Sequence, residues 1–398
     1  MKHFKDFFNA LGGVLACVVC LLLPRQAVAQ PSDSLLAAMD SVEISLLTCQ
    51  PHEEVYSLYG HTAIRYHDLR SSDFDLVFNY GVFDFRRPHF VARFVFGLTD
   101  YELGVYPFPF FCQEYRRVGS MVVEQVLNLS REEKLKLRNA LGKNLQPENR
   151  VYRYNYFYNN CTTKARDVIE QCLDGKIEYY YRSDYTPSFR QMVSQQTAGH
   201  PWTTFGNDML LGLFSDKQAM PRQQEFLPDN LMYDFDHAQV YAMGKYRPLV
   251  SERRLAVAPG VQVMMSGFAL SPLACGALLA LLGAVMGWWQ IRRRRSLLVW
   301  DALLMLATGA IGIVLTLMIF SQHPTTSLNL QILLFNPLPW FFLYPVVRRR
   351  PTVYWKLTAL LAALFFIGNF FQHYAVGIQG LALCLLVQCW VHIKTCKA

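Results

Sequence analysis

The last third of the chain limits what the rest of it can be. From about Pro272 onward five apolar stretches follow one another, at roughly 268–289, 297–320, 330–347, 353–371 and 375–393. Each approaches the ~20 residues that a helix needs to cross the hydrocarbon of a bilayer. The third is the weakest, broken by Pro337, Pro339 and Pro345. Basic residues mark alternate connections. Arg292, Arg293, Arg294 and Arg295 lie between the first two stretches, and Arg348, Arg349 and Arg350 between the third and fourth. Lys394 and Lys397 follow the fifth, while 321–329 and 372–374 carry neither Lys nor Arg. The positive-inside rule puts the basic connections in the cytoplasm and everything ahead of the first span outside it. The formal net charge of +8 is largely this topology signal, so no nucleic-acid partner is expected.

The start of the chain agrees. Lys2 and Lys5, the apolar run from Leu11 to Leu23 and Ala27-Val28-Ala29 before Gln30 read as a secretory signal over 1–29, with an uncleaved anchor as the alternative. Residues 30–260 have ordinary soluble composition and read as a periplasmic domain. Residues 268–393 read as a five-helix transmembrane domain. The expected placement is the inner membrane, multi-pass, with the soluble domain in the periplasm.

Within that domain one stretch carries chemistry. The aromatic, strand-like run Tyr154 to Tyr158 stops at Asn159-Asn160, Cys161 follows, and a helical pattern begins with Ala165, Val168, Ile169, Cys172 and Leu173 on one face. Asn160 suits an N-cap, because its side-chain oxygen can accept from free backbone N–H groups. Cys161 then falls in the first turn, where the helix dipole favours a thiolate and free N–H groups can hold an oxyanion. The bland alternative is a buried cysteine or half of a disulfide. If Cys161 is free, at most one pair forms among Cys49, Cys112 and Cys172, with Cys49–Cys112 the pairing considered. Cys17 and Cys20 lie in the signal segment, and among the domain's four cysteines no C-x-x-C pair or Cys/His cluster has zinc spacing, so neither a metal nor another cofactor is expected.

A cysteine nucleophile needs a base, and the base needs an orienting partner. His61 opens a strand pattern in which His61, Ala63 and Arg65 alternate with Thr62, Ile64 and Tyr66. Leu76 to Tyr80 forms the next strand and carries Asn79; Asp84 is the alternative orienting residue. Further strands are expected at Ile44–Cys49, Phe90–Leu98, Tyr101–Tyr106 and Met121–Leu129. A helix is expected from a Ser130/Glu133 capping box to about Leu145. The fold class is α+β.

The motifs Tyr59-Gly60-His61-Thr62-Ala63-Ile64-Arg65, Asn79-Tyr80-Gly81-Val82-Phe83-Asp84-Phe85 and Asn159-Asn160-Cys161-Thr162-Thr163 resemble those of a Bacteroidota family with an Lnb-type periplasmic domain and a multi-span tail. His323-Pro324-Thr325 and Asn336-Pro337-Leu338-Pro339-Trp340 resemble that family's loop before the third span. The order His, polar residue, Cys also looks like the circularly permuted papain-like enzymes. The resemblance implies such a fold for the periplasmic domain and lipoprotein N-acylation as the activity. A phospholipid is then the acyl donor and a diacylated lipoprotein the acceptor. Cys161, His61 and Asn79 would be catalytic; Tyr59, Asn160, Thr162 and His323 would contact substrate. Aromatics at 101–115 could line an acyl groove, although such a stripe is more often core. The alternatives are a tethered cysteine hydrolase acting on cell wall or peptide, and a non-catalytic binding or maturation module. A transporter is a weaker reading, because the chief ionisable residue in the spans, Asp301, is expected at the membrane interface.

Overall fold

The computed structural model describes residues 33–83, 86, 88–262 and 267–395. The expected signal segment and Asp84 lie outside these residues. All elements and counts below refer to the described residues.

Asp33–Ala38 form a short helix, α1. From Ser41 onward the chain builds an α+β domain and then a set of apolar helices. The strands are β1 (Val42–Cys49), β2 (His61–Asp68), β3 (Asp75–Val82), β4 (Asp100–Pro107), β5 (Val122–Leu127), β6 (Val151–Arg153), β7 (Lys176–Glu178), β8 (Gln239–Ala242), β9 (Lys245–Pro248) and β10 (Val250–Val257). Seven form one antiparallel sheet in the order β10-β5-β1-β2-β3-β4-β6, and the other three form a small sheet, β7-β8-β9. Hairpin partners β1, β2 and β3 are sequential neighbours, so the alternating pattern read from His61 to Tyr80 sets the centre of the sheet.

Helices α2 (Phe90–Val95), α3 (Phe108–Arg117), α4 (Arg131–Asn144) and α5 (Cys161–Gln171) belong to this domain. The Ser130/Glu133 capping box that starts α4 is present, with both reciprocal hydrogen bonds. Helix α5 packs on β2 and β3. Its Ala165, Val168, Ile169 and Cys172 are buried, as the 3.6-residue period requires. Helix α3 closes another face through Phe111 and Cys112, which pack with Leu47, Cys49, Ala63 and Val77. Cys49, Cys112, Cys161 and Cys172 are all free, so the considered Cys49–Cys112 bridge is not formed. Cys49 and Cys112 instead serve as small apolar side chains in one core cluster.

Two expected strands are corrected. Residues 90–98 form helix α2 and a turn, because β4 already occupies the edge of β3 that such a strand would need. The run leading to Cys161 is strand only to Arg153. Asn155 Oδ1 then accepts from Phe157 N (3.2 Å) and Tyr158 N (3.3 Å), folding 155–159 into a tight turn.

Helices α6 (Phe189–Gln196), α7 (Pro201–Leu210), α8 (Pro221–Gln224) and α9 (Pro228–His237) lead to the apolar helices α10 (Pro272–Arg293), α11 (Leu298–Ile319), α12 (Leu338–Val347), α13 (Tyr354–Gly368) and α14 (Ile378–Thr395). Three segments are long and apolar enough to cross a membrane: Pro272–Arg293, Leu298–Ile319 and Leu330–Val347; Tyr354–Gly368 and Ile378–Lys394 are apolar but shorter. The third stretch is interrupted as its prolines predict, a 3-10 turn at Leu330–Leu333 preceding α12.

The segment after α7 joins the two parts. Gly212 N donates to Thr325 O and Leu213 N to Leu328 O, each at 2.7 Å, and Asn329 Nδ2 donates to Met209 O at 2.8 Å. Gln372 Nε2 reaches Leu211 O at 3.2 Å, and His373 N reaches Asp216 at 3.2 Å. Behind this seam the buried Arg190 donates to Asp208 (2.9 Å), Asp216 (2.6 Å) and the Leu211 carbonyl (2.9 Å). The sheet domain therefore meets the helices at the connections that lack Lys and Arg.

Asp301 lies in the first turn of α11, close after the basic run Arg292 to Arg295. It is fully buried, accepting from Gln388 Nε2 at 2.6 Å and pairing with His392 Nε2 at 3.0 Å. Gln388 also bonds Gln290, and Trp355 stacks on the His392 ring at 4.2 Å. A carboxylate among apolar helices has to be satisfied by such partners.

Candidate active site

His61 begins β2, Asn79 lies on β3 and Cys161 is the first residue of α5. Antiparallel pairing of β2 with β3 and the packing of α5 across both bring the three together. His61 Nε2–H donates to Asn79 Oδ1 at 2.6 Å. That bond leaves Nδ1 for the cysteine, with which His61 also hydrogen-bonds. The register of β3 against β4 slips between Asn79 and Val82, a bulge beside the site.

Two glycines make the approach feasible. Gly60 has φ +73°, and a Cβ there would lie 2.7 Å from Cys49 O, so the turn delivering His61 requires glycine. Gly81 has φ +95°, and a Cβ there would stand 3.4 Å from Cys161 Cβ and 3.9 Å from His61 Cε1. Those distances are ordinary contacts, so it is the positive φ that favours glycine at 81.

Asn160 is the N-cap of α5. Its Oδ1 accepts from Thr162 N and Thr163 N, each at 3.0 Å, and its Nδ2 donates to Tyr156 O (3.1 Å) and Phe226 O (2.8 Å). The cap thus consumes two of the N–H groups expected to face an oxyanion, and the Cys161 N–H is the helix-start donor left for that role. Thr162 is buried and its hydroxyl accepts from Thr62 at 3.1 Å, fastening the helix start to β2.

Electrostatics favour an ion pair. Burial alone would raise the Cys161 thiol. The His61 charge and hydrogen bond, the Thr62 backbone N–H and the Thr162 hydroxyl outweigh it and bring the thiol down to about 7. Burial alone would lower the His61 imidazole; Cys161 and the Asn79 hydrogen bond lift it above the ordinary histidine value. The two directions agree, as they must for a thiolate beside an imidazolium.

The pair opens on a cavity of about 610 Å³. Tyr59, Asn160 and Thr162 line it together with Cys161, His61 and Asn79. Tyr59 is held by Asn207, whose Nδ2 donates to its hydroxyl at 2.7 Å. Of the aromatics at 101–115, Tyr101 and Tyr115 reach the cavity, whereas Phe111 is core and Phe108 lies under the Arg65 guanidinium at 3.5 Å. His323 is not among the lining residues. It stands behind Phe94, which does line the cavity, with ring centroids 6.1 Å apart. Sequence reasoning missed Phe83, Phe90, Phe94 and Tyr154 as cavity residues. The signal available was the 90/94 spacing, one face of a helix.

Residues 36–195 match the family model of the Lnb N-terminal periplasmic domain, and residues 264–398 match that of the Lnb transmembrane domain. Together these span most of the chain, which belongs to the Lnb-type family. It is a membrane protein with a periplasmic domain. Comparison with curated proteins and with solved structures gave no match.

Proposed function

We propose that this protein is a lipoprotein N-acyltransferase, with Cys161 as nucleophile, His61 as proton carrier and Asn79 as the residue that orients His61. The observation that carries the reading is Cys161 beside an Asn79-bound His61 on an aromatic cavity, in a domain fastened to apolar helices. The domain is read as a circularly permuted papain-like fold over about 30–260, and the tail over 268–393 as five spans of the inner membrane.

In the first half-reaction the Cys161 thiolate attacks the acyl ester carbonyl of a phospholipid. The C–O bond breaks, His61 gives its proton to the departing alkoxide, and a Cys161 thioester remains. The Cys161 N–H faces the oxyanion of each tetrahedral intermediate. In the second half-reaction the α-amine of a diacylated lipoprotein's terminal cysteine attacks the thioester. His61 accepts the amine proton, the C–S bond breaks, and the amide leaves with the thiolate restored. Tyr59, Asn160 and Thr162 shape the substrate side of the site, and His323 acts on it from behind Phe94. The physical case for a membrane tail is strong. Moving a fatty chain through water costs roughly 0.8 kcal/mol per CH₂, on the order of 10 kcal/mol for a long chain. A soluble amidase has no such need.

The test is mass spectrometry of lipoprotein N-terminal peptides from cells carrying wild-type protein, no protein, or Cys161→Ala. Loss of one acyl mass in the last two supports the reading. An unchanged mass overturns it and directs attention to hydrolysis of wall fragments.

A further inference from the structure

The cavity has an aromatic wall that runs from the nucleophile to the membrane helices. Next to Cys161, Tyr101 approaches the Gly81 position (3.9 Å) and stacks on Tyr154 with centroids 4.0 Å apart. Phe83 stacks on Tyr101 at 4.9 Å, and Phe90 stacks on Phe83 at 6.3 Å. One helical turn along α2, Phe94 also lines the cavity yet is 44% exposed. Its ring meets His323. The helix is held at this point by the connection that leaves α11. Gln322 N donates to Phe96 O at 3.0 Å, and a Cβ on Gly97 would stand 3.2 Å from Gln322 N and Cβ. Phe320, at the end of α11, is 72% exposed. Rings thus follow one another from beside Cys161 through Tyr101 and Phe83 to Phe90, and Phe94, one helical turn on, meets His323 in the connection that leaves α11.

We propose that the apolar face of α2 is the side entrance by which the fatty acyl chain of a lipid in the periplasmic leaflet reaches Cys161, with Phe90 and Phe94 as the residues that the chain rests against. This inference rests on the acyltransferase reading. It commits to one occupant because the path ends at the connection leaving α11, a helix long and apolar enough to cross a membrane, where hydrocarbon chains are. A peptide or sugar chain gains little from a wall lined by Tyr101, Phe83, Phe90 and Phe94, whereas a methylene chain keeps apolar contact with each ring. Gln322 and His323 then serve as the frame that fixes the entrance at the bilayer surface.

The experiment uses the full-length protein in vesicles of phosphatidylethanolamine and phosphatidylglycerol with labelled acyl chains. Hydroxylamine-labile label on Cys161 reports acylation by the bilayer lipid, and p-nitrophenyl acetate reports acylation of the same cysteine from water. Phe94→Asp puts a charge in the path and should slow labelling from vesicles at least about tenfold, while labelling by the soluble ester falls by less than about threefold. Phe94→Leu should restore most of the loss. Labelling by the soluble ester also shows that each variant is folded at its active site. As a second measurement, a benzophenone amino acid at position 94 should cross-link to phospholipid. Equal slowing with both donors, or no slowing from vesicles, overturns the entrance, as does a cross-link to protein alone. If the wild-type protein takes no label from vesicles, the acyl-donor reading itself fails, and the entrance with it.

Discussion

Asn79 Oδ1 accepts from His61 Nε2 at 2.6 Å, one strand across from it, and so decides which imidazole nitrogen meets Cys161. An imidazole without that bond can rotate or take the other tautomer. Asn79→Ala is expected to lower kcat for acyl transfer about 10- to 100-fold, less than the ~10²- to 10⁴-fold a general base itself contributes, because Asn79 only orients that base. Cys161 should remain open to alkylation. A steady-state assay with labelled lipid, paired with intact-mass alkylation, checks both; unchanged kcat would remove Asn79 from the orienting role.

The lowered thiol gives a pH prediction. Alkylation of Cys161 by iodoacetamide should be half-maximal near pH 7, since its thiol is brought down to about 7. In His61→Ala the attracting charge and hydrogen bond are lost while burial stays, so the midpoint must move up. Quenched alkylation read by mass spectrometry measures both midpoints. An unmoved midpoint in the variant would show that His61 does not hold the thiolate.

Asn160 joins α5 to its surroundings in two directions. Asn160→Ala loses the cap, about 1 kcal/mol, and leaves the buried Phe226 carbonyl without its donor, a further ~1–3 kcal/mol. Asn160→Ser keeps a cap acceptor and loses only the donor. Chemical denaturation should rank the stabilities wild type, then Ser, then Ala; a reversed order of the two variants would refute this division.

Asp234 makes the fold sensitive to alkali. Burial first and then the neighbouring Glu225, against the pull of Arg182, together bring its carboxyl up to about 7. Between its ordinary range and about pH 7 the folded state binds more protons than the unfolded state, so stability falls as pH rises and levels off above that value. Asp234→Asn should flatten the fall in Tm between about pH 5 and pH 8. Some slope should persist, because Glu225 is raised too. A parallel decline in the variant would count against Asp234 as its source.

What could be read from residues alone was what local physics decides. Asn160 and the apolar period after it marked the start of α5, and two-residue alternation put His61 and Asn79 on neighbouring strands. Residues 90–98 were misread because Phe90, Val91, Phe94 and Val95 satisfy a strand composition as well as a helix. The choice was made by β4, which had taken the sheet edge. The burial of Asp301 among helices was not legible for a related reason. Its partners Gln388 and His392 sit on α14, and no local pattern announces a hydrogen bond across that separation. The division of the aromatics at 101–115 between core and cavity likewise depended on where β3 and α3 stand.

The seam between residues 208–216 and the connections at 325–331 and 372–373 is made of backbone hydrogen bonds and buried side chains. A domain joined in this way does not swing on a tether. On the proposed function, Cys161 would be held at one height above the lipid surface, and a molecule would be admitted by how far its reactive end stands from the membrane, whatever else it carries.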